Sequence, residues 1–251
     1  MATVTFRLHR QFWPLLARER RLESFEYDCA QQASAKHAIE ALGLPHTEVE
    51  WLAVNGLPAG LDRPLHGGDL VEAWPRLATM PPTGSFQRLR IWPAPAASRF
   101  VADAHLGGLA RLLRLAGFDT LYRQDFQDQE IALISASEGR IVLTRDRELL
   151  KQRAIELGCF VRAQQPWPQL TELLRRLALA AAVQPFSRCL ECNAALQQVE
   201  PSAVLDLLPT AVREGQQHFT RCAQCGRIYW QGSHWKRMSE RLDAALAASQ
   251  E

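Results

Sequence analysis

The chain has 251 residues, 47% hydrophobic and 22% charged, a balance that supports a buried core and excludes a disordered or mini-domain class. At roughly 100 to 200 residues per domain, the length suggests two domains, or one with small modules. Its 29 basic and 27 acidic side chains leave a formal charge of +2, which does not mark a strongly basic nucleic-acid coat protein, so partners must be argued from sites.

The first residues, Met1 to Arg21, carry several charges and no apolar stretch of signal-peptide length. The longest strongly apolar run, around Leu177 to Val183, falls far short of the ~20 residues a membrane helix needs. A cytoplasmic protein without a membrane partner is expected. Only Lys36, Lys151 and Lys236 are lysines; the remaining basic residues are arginines, whose planar fork suits phosphate, although a GC-rich genome produces the same bias.

Alternation in Val4, Phe6 and Leu8 predicts a first strand, and a second is expected near Phe25 and Tyr27. Ser34 to Leu42 fits a helix with a Ser cap, closed by Gly43. Two further strands follow, at Val49 to Val54 and around Leu70 to Trp74, with a turn at Asn55-Gly56. Two strands, a helix and two more strands describe a β-grasp over residues 1–76. The phrases Val54-Asn55-Gly56 and Gly68-Asp69-Leu70-Val71-Glu72 resemble ubiquitin-like sulfur-carrier proteins. Such carriers act through a free terminal Gly-Gly, whereas Gly67-Gly68 lies inside this chain. The module is therefore expected to dock a partner or position a substrate.

Five of the fourteen prolines fall between Pro75 and Pro95, which predicts a linker over 77–98. From Arg99 short apolar strands alternate with helices: strands at 100–103, 120–122, 141–144 and 160–162, helices at 106–116, 129–138, 147–157 and 167–183. That alternation predicts an α/β core with a parallel sheet over 99–184. Active sites of such sheets gather at the carboxyl ends of the strands.

Asp103 ends the first of these strands and Asp146 follows the third, while Asp125, Asp128 and Glu130 approach the start of the second helix. Acids brought to one rim repel unless a cation sits among them, and Mg²⁺ or Mn²⁺ held by oxygen ligands activates water for phosphodiester hydrolysis. The same acids also suit strand ends and helix caps. Arg111 and Arg114, three apart, share one helix face, where they either hold phosphates or are solvated.

Cys189-Leu190-Glu191-Cys192 and Cys222-Ala223-Gln224-Cys225 enclose 29 residues. Two such knuckles complete a tetrahedral Zn²⁺ site, closed and therefore structural, with the insert at Ala203 to Gly215 bulging as a small helix or loop. Beyond them, Gly226 to Arg237 interleaves aromatic and basic side chains, suited to unpaired bases or to a small core. Residues 185–251 are thus expected to form a zinc ribbon with a terminal helix from about Trp235 to Ala248.

The runs Phe100-Val101-Ala102-Asp103, Gly108 to Asp119, Asp128-Gln129-Glu130-Ile131 and Gly139 to Asp146 resemble the Mut-seven C-terminal RNase family, whose domain is PIN-like. With the ubiquitin-like module and the cysteine tail, the resemblance covers nearly the whole chain. It implies metal-dependent RNA hydrolysis, with Asp103, Asp128 and Asp146 as Mg²⁺ or Mn²⁺ ligands. Arg111, Arg114 and Arg145 are then expected to position or neutralise phosphate. The other expectation is a non-catalytic RNA- or ribonucleoprotein-binding adaptor whose β-grasp docks a protein.

Overall fold

The computed structural model describes residues 1–76 and 85–250; the proline-rich start of the expected linker, residues 77–84, lies outside them. The first elements are β1 (Ala2–Leu8), β2 (Phe25–Cys29), α1 (Ala35–Ala41), β3 (Trp51–Val54), β4 (Leu57–Pro58), β5 (Leu70–Trp74) and β6 (Gln87–Arg88). Next come β7 (Arg99–Ala102), α2 (Gly107–Leu115), β8 (Asp119–Tyr122), α3 (Asp128–Glu138), β9 (Ile141–Thr144), α4 (Arg147–Lys151), β10 (Gly158–Phe160) and α5 (Pro166–Arg176). The tail holds β11 (Leu196–Val199), α6 (Thr210–Gly215), β12 (Phe219–Cys222), β13 (Ile228–Trp230) and α7 (Ser233–Ala248). No helix among the described residues is long and apolar enough to cross a membrane.

Contacts gather the chain into two compact units, one of residues 1–93 with 128–160 and one of residues 94–127 with 161–251. In the first, the sheet order is β2-β1-β5-β3-β4, with β6 also paired to β3. The central pair β1/β5 is parallel and its flanking pairs antiparallel, the arrangement of a β-grasp. Alternation along β1 puts Val4, Phe6 and Leu8 into the core, where they join Ile39 of α1 and Leu52, Val71 and Ala73 of the sheet. Ser34 caps α1 by accepting from the His37 amide at 3.2 Å, as its position before the helix predicts.

Residues 87–92, expected in the linker, are tied to this sheet. The buried carboxylate of Glu50 accepts from Arg88 Nε at 2.7 Å and from Trp92 Nε1 at 2.6 Å, and Arg90 donates to the carbonyls of His46 and Thr47. The same unit contains the parallel pair β9/β10. The turn between α1 and β3 meets it directly: Glu48 Oε1 accepts from the Phe160 amide at 2.8 Å, and His46 Nε2 lies 3.2 Å from the Ile155 carbonyl. Two expected helices end early. The one from 147 stops at Lys151, because the chain turns to bury Ile155 before β10. The one from 167 ends at Arg176, because Ala178 takes a left-handed φ of 53°.

In the second unit β7 and β8 pair in parallel. The chain approaches them closely at the start of α2: a Cβ on Gly107 would lie 2.6 Å from the Tyr122 hydroxyl, and one on Gly108 2.6 Å from Pro166 Cγ. The glycine pair therefore lets α2 seat against β8 and α5. In the tail, β11-β12-β13 form an antiparallel sheet. The insert between β11 and β12 covers one face of it, burying Val204 and Leu208 against Phe219.

Candidate metal centre and carboxylate positions

The two cysteine knuckles are built alike. In each, the first cysteine's carbonyl accepts from the amide four residues on, Asn193 at 3.0 Å and Gly226 at 2.9 Å. Both of those residues are left-handed, with φ of 71° and 74°, a conformation that Asn and Gly tolerate. The turns bring the four sulfurs within 4.8 Å of one another, with Cys189 and Cys225 3.5 Å apart and Cys192 and Cys222 3.3 Å apart. Tetrahedral thiolate coordination with bonds of about 2.3 Å would space sulfurs by about 3.8 Å, so the set fits a metal ion after a small expansion. Among the described residues, this is the group of His, Cys, Asp and Glu ligand atoms that converges to metal-binding distance.

The thiols are not equivalent. Burial pushes Cys189 up, but the Cys192 and Glu191 amides, the Tyr229 hydroxyl and the Cys225 thiol outweigh it and leave Cys189 at about 6. Cys192 is pushed up to about 12 by burial and its thiol neighbours, against the Ala194 amide. Burial also raises Cys222, yet the amides of Cys225 and Gln224 and the Cys192 thiol bring it below its ordinary value. The Tyr229 phenol is raised by its own burial and by Cys189, which lies 3.1 Å away.

The first knuckle is fastened to α2 and β8. Asn193 accepts from the Thr120 amide at 2.9 Å and donates to Asp119 at 2.8 Å, while Arg188 Nε donates to the Gly117 carbonyl at 3.2 Å. Arg114 completes the fastening, donating to the carbonyls of Thr120 at 3.0 Å, Leu190 at 3.1 Å and Glu191 at 2.7 Å. This corrects the phosphate role expected for Arg114: the residue is 5% exposed, and its Nε and Nη1 donate to three backbone carbonyls. Arg111 stays at the surface, with an ion pair of 3.4 Å to Glu191.

Asp103 follows β7 at its carboxyl end and is 7% exposed. Its carbonyl accepts from the Leu106 amide at 2.8 Å, and the next residue, Ala104, accepts from the Tyr122 hydroxyl at 3.0 Å. Asp103 belongs to the unit that carries the cysteines, whereas Asp128 and Asp146 belong to the other. Asp128 opens α3 and is exposed. Asp146 is exposed beyond β9 and caps α4, accepting from the Glu148 amide at 2.8 Å, while its own amide donates to Thr144 Oγ1 at 2.9 Å. Arg145 beside it is exposed. Asp125 is exposed and paired with Arg123 at 3.0 Å, an interaction that holds its carboxyl below the usual range.

Sequence reasoning did not single out Tyr122, Asn193 or Arg188. The Asn at the fifth position of the first knuckle, matching Gly226 of the second, is the signal that could have found one of them.

Residues 98–242 match the model of the Mut7-C RNAse domain. The chain belongs to the Mut7-C RNase family. Residues 1–80 match the model of the Mut7-C ubiquitin domain, which agrees with the β-grasp observed there. The family assignment, the parallel α/β core and the cysteine cluster together mark a metal-associated protein of nuclease type. Among curated proteins, the chain is similar to the human exonuclease mut-7 homolog, 34% identical over 106 residues, covering 39% of this chain and 12% of that protein. The chain thus spans about an eighth of that relative's length. No solved structure matches it.

Proposed function

We propose that the chain is a metal-dependent ribonuclease that hydrolyses RNA phosphodiester bonds in the cytoplasm, with Zn²⁺ holding the C-terminal ribbon. The observation that carries this reading is the match of residues 98–242 to the Mut7-C RNAse domain, in a chain where Asp103 follows β7 and Asp146 follows β9. Asp103, Asp128 and Asp146 would hold Mg²⁺ or Mn²⁺, which supplies a more acidic bound water and offsets charge on the phosphodiester. Asp103 is kept in place by the turn that Tyr122 secures, and Arg111 and Arg145 present cations to phosphate. The four cysteines would close a structural zinc site, a donor set that leaves no position for water. Six cysteines, none of them in a disulfide, suit a reducing compartment. The β-grasp would dock a protein or ribonucleoprotein partner.

One observation favours the non-catalytic adaptor: Asp146 already spends an oxygen on the cap of α4. A single assay decides between them. Zinc-loaded protein freed of other divalent ions is given labelled single-stranded and structured RNAs, then Mg²⁺ or Mn²⁺, beside Asp103→Asn and Asp146→Asn. Cleavage that needs the added ion and disappears in both variants supports the nuclease; binding of RNA by the native protein without cleavage replaces it with the adaptor.

A further inference from the structure

The tail holds a cavity of about 580 Å³ that neither the metal centre nor the carboxylates use. Its size falls within the roughly 300 to 1,000 Å³ of small-molecule sites. Its floor is the sheet face opposite the insert, where Gln198, Thr220 and Tyr229 stand side by side in register across β11, β12 and β13. Tyr229 is fixed there because its hydroxyl accepts from the Leu190 amide at 3.2 Å and contacts the Cys189 sulfur. The wall is an aromatic pair, Phe186 and Trp235, with ring centroids 4.7 Å apart and planes at 27°. Phe186 holds a left-handed φ of 58°, rare for a bulky residue, and its amide is anchored to the Leu115 carbonyl at 2.8 Å.

We infer that this cavity binds an unpaired nucleobase of single-stranded RNA, which deepens the ribonuclease reading and rests on it for the choice of RNA. Three features select that ligand. Flat aromatic walls offer stacking that tolerates any base. A carboxamide and a hydroxyl on the floor supply the donors and acceptors that a base edge requires. No Asp or Glu is among the residues that line the cavity, whereas Arg188 and the exposed His234 are, and the phosphates flanking the base would lie beside them. A base inside a duplex cannot enter, so the site discriminates by strandedness.

The test uses the full-length, zinc-loaded protein without Mg²⁺ or Mn²⁺, titrated with fluorescent eight-nucleotide homopolymers of each base and with a blunt duplex RNA. The single strands are expected to bind more tightly than the duplex and to quench tryptophan fluorescence. Trp235→Ala should weaken single-strand binding about tenfold or more. Because Trp235→Ala disturbs its stack with Phe186, the double change Gln198→Ala with Thr220→Val serves as the second probe, and should alter the ranking of the four homopolymers with zinc content unchanged. Native-like affinity and ranking in both variants overturns the proposal, as does equal affinity for duplex. Failure of the native protein to bind any RNA also overturns it and leaves the cavity to a protein ligand. Cleavage with unchanged binding in the variants would sink the pocket and keep the nuclease; cavity-dependent binding without cleavage on adding metal would do the reverse.

Discussion

Arg114 Nη1 donates to the Glu191 carbonyl at 2.7 Å, joining residues 77 positions apart and making the first cysteine knuckle an extension of α2. The two arginines of that helix therefore differ in kind. Replacing Arg114 by Ala strands three carbonyls, so a loss of about 3 kcal/mol in unfolding free energy is expected, together with weaker zinc retention on competition with a chelator. Arg111→Ala should leave the melting temperature nearly unchanged and instead lower the salt dependence of RNA binding by about one phosphate contact. Equal thermal effects of the two changes would contradict the assignment.

The proposed zinc would close the knuckles, whose four sulfurs lie within 4.8 Å of one another. Cys222→Ser is expected to release the ion and to unfold the β11–β13 sheet, since structural zinc contributes on the order of 10 kcal/mol to such modules. The β-grasp should survive. Far-ultraviolet circular dichroism and metal analysis of the variant check both halves of the statement.

Asp69 gives the β-grasp an acid-sensitive turn. Burial works to raise its carboxyl, but the His66 amide and the Asn55 carboxamide, each at 2.8 Å, prevail and lower it. A carboxyl lowered in the folded state contributes stability that is complete above its unfolded value near 4 and is lost as pH falls through the folded value. Asp69→Asn should therefore remove part of the stability difference between pH 6 and pH 3, about 1 kcal/mol, measured by urea unfolding at the two pH values.

Tyr122→Phe deletes the bond to the Ala104 carbonyl while keeping the ring that packs against Gly107. If Asp103 acts as proposed, the maximal RNA cleavage rate should fall about five- to tenfold with a melting temperature lowered by only a few degrees. An unchanged rate would mean that the turn needs no such restraint.

Much of the fold was legible because it depends on local pattern. The alternation of Val4, Phe6 and Leu8, the Ser34 cap and the spacing of the cysteines each specify structure within a few residues. What escaped depends on partners distant in the chain. Arg111 and Arg114 occupy one helix three residues apart, and only the arrival of Leu190 and Glu191 decides which is buried. Likewise Arg88 and Trp92 lie among prolines that announce a linker, yet the buried Glu50 draws both onto the sheet. The helix expected to run past Lys151 is stopped by the demand to bury Ile155, which no propensity in 147–157 reveals.

The Phe160 amide finds its acceptor in Glu48, and its ring rests against the β-grasp core. The N-terminal module is thus part of the scaffold for β10, more keystone than ornament. Cutting the chain at residue 98 would remove the Glu48 carboxylate from the Phe160 amide and bare an apolar edge to water. An excised fragment is expected to aggregate, because the same edge that the module roofs in the whole chain would be left facing solvent.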